Sequence, residues 1–109
     1  MLFSELVLLA SVMALITCSA AAAPVNCPAF IQAGAVKDEL SNASLYDGPP
    51  DEMADLIPDE SGAMDIWNLD SVDPYLVCRY IGAAKIVTFH ATGTKICEAG
   101  GKPFQAFCR

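Results

Sequence analysis

The densest run of reactive groups is DGPPDEMADLIPDE, residues 47–60, with six carboxylates, three prolines and no cation. Paired carboxylates can hydrolyse glycosides, but only across a cleft that raises the pKa of one of them, and a chain this short is not expected to form one. A calcium loop of the EF-hand type needs alternating acids and a glycine that the run lacks. His90 is the only histidine. A Ser-His-Asp arrangement would have to use it, yet no GxSxG elbow surrounds any serine. Without further imidazole or thiolate ligands it makes a poor transition-metal site. AGGK, residues 99–102, lacks the rest of a phosphate-binding loop. No catalytic residue, metal or cofactor is therefore expected. The chemistry left to the acids is contact with a protein or envelope partner, for which the candidates are Asp51, Glu52, Asp55, Asp59, Glu60 and Arg79.

Five cysteines are present, at 18, 27, 78, 97 and 108. The first lies in an apolar leader whose core, residues 6–16, is too short for a membrane span. A run of small residues, SAAAA, follows as a signal-peptidase site. Cleavage after Ala22 divides the chain into a signal peptide, 1–22, and one small domain, 23–109, exported to the periplasm or beyond. Leu15 to Cys18 offers a lesser alternative, a lipoprotein acylated on Cys18, although Thr17 is a poor lipobox residue. The n-region carries Glu5 and no lysine or arginine. The exported domain keeps Cys27, Cys78, Cys97 and Cys108, an even set that reads as two disulfides in an oxidising compartment. Spacings of 51, 19 and 11 are too wide for a four-cysteine zinc site. Three pairings are possible, with Cys27–Cys78 and Cys97–Cys108 preferred. A domain of this size needs such staples, because its apolar core is small.

Positioning falls mainly to strands. YLVCRYI (75–81) and KIVTFH (85–90) form a hairpin, KIC (95–97) and PFQAFCR (103–109) follow glycine-bearing turns, and EAGGK is itself read as a turn. MDIWNLD is a strand with Trp67 and Leu69 on its core face, and ASLYD (43–47) is a short one. Within the acidic run, prolines 49 and 50 suit the first turn of a helix. Met53, Leu56 and Ile57 then fall on one stripe, and Pro58 ends it. The expected fold is mainly β: a small antiparallel sheet of about five strands, one short helix packed on it, and two disulfides. Eleven acids and no base lie between Asp38 and Asp73, whereas five bases and one acid follow. The expectation is that the two halves fold against each other and partly neutralise internally, with Arg79 pairing an acid of the helix. The net charge of −7 argues against nucleic acid.

APVNCPA, SLYDGPPDEMADLIPDE, the W-N-L triplet and LVCRYIG, with two closing cysteines, together resemble a family of small exported proteobacterial proteins of unassigned activity. The likeness spans nearly all of the exported domain. It implies a periplasmic protein of a Gram-negative bacterium and supplies no catalytic residues. LVCRYIGAAKIVTF is also similar to the Tyr/Cys hairpin of small periplasmic lysozyme inhibitors. Two functional classes remain. One is a non-catalytic binding module with an acidic face, whose sharper alternative is an inhibitor or immunity-type protein against a basic envelope hydrolase such as lysozyme. The other is a tiny hydrolase or metal carrier, which would show turnover or bound metal.

Overall fold

The computed structural model describes residues 23–59, 62–82 and 85–109. The leader lies outside them, as do Glu60 and Ser61, and with these the expected cleavage site and the Glu60 candidate. The strands are β1 (Val25–Asn26), β2 (Phe30–Ala33), β3 (Val36–Asp47), β4 (Met64–Asn68), β5 (Pro74–Tyr80), β6 (Ile86–His90), β7 (Ile96–Gly100) and β8 (Gln105–Cys108). They form two antiparallel four-stranded sheets, ordered β1-β8-β7-β4 and β2-β3-β5-β6. The expected single sheet of about five strands is thus corrected to eight strands in two sheets, facing each other through β3 and β5 on one side and β7 and β8 on the other.

Inward positions alternate as a half-buried strand requires. Leu76, Cys78 and Tyr80 of β5 meet Cys97 and Ala99 of β7 and Ala106 and Cys108 of β8, all buried. On β3 both Leu40 and Ala43 point inward, although odd spacing would put them on opposite faces. The register shift between Leu40 and Asn42 re-phases the strand. It also divides the work of β3, whose first residues pair with β2 and whose remainder pairs with β5. Much of the core is alanine, which buries little area, and two disulfides supplement it. Cys27–Cys78 ties the segment after β1 to β5, across the two sheets. Cys97–Cys108 joins directly opposed residues of β7 and β8. EAGGK does not turn where expected, because residues 98–100 continue β7. Gly100 lies there at φ 147°, and a Cβ would sit 2.9 Å from the Ala63 carbonyl.

The expected helix is absent. Pro50–Glu52 makes one 3-10 turn, ended by Met53 in the left-handed region at φ 61°. Beyond it the chain makes isolated bridges, Asp55 to Tyr46 and Asp59 to Ile66. A helix so short has a costly nucleus and little propagation to offset it, and Pro58 disfavours helical geometry at Ile57. Two sheet edges beside the segment carry unpaired backbone groups, and the chain bonds to those instead. Among the described residues no helix is long and apolar enough to cross a membrane.

Candidate functional site

Residues 47–59 are a strap over one side of the sandwich. The strap pairs first with β3, where Asp47 N–H donates to the Ala54 carbonyl at 2.9 Å and Leu56 N–H to the Leu45 carbonyl at 2.8 Å. It then crosses to β4, where Asp59 and Ile66 exchange backbone bonds of 2.8 and 3.3 Å. The buried Trp67 of β4 donates its indole N–H to the Leu56 carbonyl at 3.0 Å. One segment thereby closes an edge of each sheet. Gly48 N–H bonds the Asp73 carbonyl, and Asp47 accepts from Asp73 N–H, which secures the start of the strap.

This path decides where the side chains go. Asp51, Glu52, Asp55 and Asp59 are all exposed. Leu56 alone of the expected stripe packs on the core. Met53 and Ile57 are 80% and 90% exposed, the two most exposed large apolar side chains described. Between the strap and β4 runs a groove of about 220 Å³, lined by Leu56, Ile57, Asp59, Ile66, Leu69 and Val72. The surface is two apolar side chains among four carboxylates, beside a groove with an acid on its rim. Met53 and Ile57 thus depart from the core-facing stripe expected of a helix. Pro58 was the available signal against a helix at Ile57. Nothing local marks Met53 as left-handed.

Ion pairs do not neutralise the described strap acids. Among the described residues the charged pairing is Glu98–Arg109 at 3.0 Å, and Asp73 is hydrogen-bonded to His90. Neither involves Asp51, Glu52, Asp55 or Asp59. Arg79 does not pair with a strap acid either. It projects from β5 over the outer face of its sheet and donates to Ser44 Oγ at 2.5 Å and to the Tyr46 hydroxyl at 3.4 Å. Tyr46 and Asp55 are bridged through backbone, so Arg79 is near the strap's root but not part of its surface. The four described strap acids are therefore solvated, with no ion-pair partner among the described residues.

His90 has a partner that sequence reading did not assign. Its Nε2 lies 2.5 Å from Asp73 Oδ1, and its ring stacks on Tyr75 at 4.1 Å and 9°. Tyr75 and His90 are directly opposed in the β5–β6 ladder, which holds the rings together. This pair pins the loop before β5 to the end of β6. All four described cysteines are in disulfides, and no described hydroxyl bonds the imidazole. Among the described residues no group of three His, Cys, Asp or Glu side chains is placed to hold a metal ion.

Neither a curated protein nor a solved structure matches the chain. A protein family does, over residues 35–106, roughly two thirds of the sequence. The matched stretch runs from the start of β3 into β8 and contains the whole strap. That description does not specify lysozyme as a target. By the extent of this match the chain belongs to the type VI secretion system Tli immunity protein family.

Proposed function

We propose that this chain is a non-catalytic periplasmic immunity protein that protects its cell by binding a toxic type VI secretion effector, with the acidic strap as the docking surface. One observation carries the surface assignment. Asp51, Glu52, Asp55 and Asp59 are exposed without a described cation partner, around the exposed Met53 and Ile57. Apolar anchors with a charged surround are how protein interfaces are commonly built. Carboxylates of one sign steer a basic partner and make its association salt-dependent. Family membership supplies the effector, and the disulfides suit the oxidising compartment in which the meeting would occur. Arg79 braces the strand that the strap leaves.

The test is a competition between recipient cells and a type VI attacker. Recipients expressing the wild-type protein should survive. Recipients expressing Ile57→Ala with Asp55→Asn and Asp59→Asn should be killed, although the variant folds and accumulates. Equal protection by both would refute the strap as the docking surface. Wild-type protein that neither protects against any delivered effector nor captures one would refute the immunity reading itself.

A further inference from the structure

Three of the four sheet edges are short or covered. β1 has two residues, β2 has four and follows Pro28 closely, and β4 is bridged by Asp59 of the strap. The fourth, β6, is Ile-Val-Thr-Phe-His, with no Asp, Glu, Lys or Arg, no proline and no described strand outside it. Such an edge invites another strand.

Its hydrogen-bonding phase can be worked out. Ala91 N–H donates to the Pro74 carbonyl directly across the ladder at 2.8 Å. Antiparallel ladders alternate bonded and non-bonded pairs. With Tyr75 opposite His90, Val77 opposite Thr88 and Arg79 opposite Ile86, those three pairs are the non-bonded ones. The close ring stacking of Tyr75 and His90 agrees, since side chains approach more closely there. Ile86, Thr88 and His90 therefore aim their N–H and C=O groups away from β5.

We infer that β6 pairs antiparallel with β6 of a second copy of this chain, about a two-fold axis at Thr88, joining two four-stranded sheets into one. In that register Thr88 faces Thr88 and Ile86 faces His90 of the second copy. Each of these outward residues gives one donor and one acceptor to its opposite number. On the inner face Val87 meets Phe89 of the second copy, and these half-buried side chains at the core's rim seal each other. Threonine pairs and aromatic–β-branched pairs are favourable across strands. Charge complementarity at the strand ends favours this occupant. The register carries Lys85 of each copy, beyond Ile86, to the strand end where the other copy's Asp73 holds His90. The straps lie at the opposite side of the sheet, on β3, so the acidic surfaces are kept apart and left free. The inference goes beyond the immunity reading and does not depend on it.

The experiment is light scattering on the disulfide-bonded protein across a concentration series up to about 1 mM, with amide hydrogen exchange on the same samples. The molar mass should rise about twofold, to that of a symmetric dimer. Ile86, Thr88 and His90 amides should become protected as it does. Thr88→Lys, an exposed change that sets two cations across the axis, should remain monomeric with unchanged melting. Thr88→Val, which keeps the backbone pairing, should still dimerise. A wild-type protein that stays monomeric, or outward amides that exchange rapidly at every concentration, would overturn the inference. So would a folded Thr88→Lys protein that still dimerises. A monomer whose Thr88→Lys variant loses effector binding would overturn it too, and would assign the edge to the effector.

Discussion

Trp67→Phe probes the joint between core and strap. Trp67 is 5% exposed, and its indole N–H bonds the Leu56 carbonyl at 3.0 Å. Phenylalanine keeps a ring in the core but has no donor. Loss of the hydrogen bond costs about 1 kcal/mol. The smaller ring gives up the equivalent of two or three buried carbons, roughly 2 kcal/mol at about 0.8 kcal/mol each, and any uncollapsed space adds to that. The expected destabilisation is about 2–4 kcal/mol, a large part of the roughly 5–15 kcal/mol that holds a domain together. Trp67 is the only tryptophan, so unfolding in urea is followed by far-UV circular dichroism rather than fluorescence. Native-state hydrogen exchange adds a local readout. The amides of Leu56 and Asp59, bonded to the Leu45 and Ile66 carbonyls, should exchange faster in the variant by more than the global loss explains. Ile57→Ala, at a 90% exposed position, should change stability by no more than about 0.5 kcal/mol. A Trp67→Phe protein within about 0.5 kcal/mol of wild type, with unaltered exchange at both amides, would refute the view that the indole fastens the strap.

Other outcomes come from the same geometry. Burial raises the Tyr80 phenol above its ordinary value of 10.0. Its contribution to stability is therefore complete below the unfolded value and is lost as pH rises through the higher folded one. One tyrosine should ionise late in an absorbance titration, and Tyr80→Phe should remove that step and cost about 1 kcal/mol with the lost bond to the Pro28 carbonyl. The disulfides close spans of 51 and 11 residues. On the chain-entropy relation their removal costs about 4 and about 3 kcal/mol, so Cys27→Ala with Cys78→Ala should melt below Cys97→Ala with Cys108→Ala. Intact mass of the exported protein should begin at Ala23 with no lipid on Cys18, and a diacylglyceryl adduct would refute this.

The sequence alone determined what depends on residue type and near neighbours. Alternating apolar residues placed LVCRY, IVTFH and the strand containing Trp67, because a pleated strand presents every second side chain to one face. An even set of cysteines in the small domain implied two disulfides for the same local reason: oxidised thiols in a small domain pair. Tertiary structure decided what depends on which backbone groups lie beside which. DGPPDEMADLIPDE has helical spacing at Met53, Leu56 and Ile57, but the unpaired edges of β3 and β4 lie next to it only once both sheets exist. Bonding to them outweighs two turns of helix, and that leaves Ile57 in solvent. The bulge after Leu40 is equally non-local, since only its pairing with β2 and β5 shows that β3 must change phase. Charge followed the same rule. Composition told how many acids the first half carries, but only the fold set Arg79 over Ser44 and Tyr46, and so left Asp51, Glu52, Asp55 and Asp59 without an ion-pair partner among the described residues.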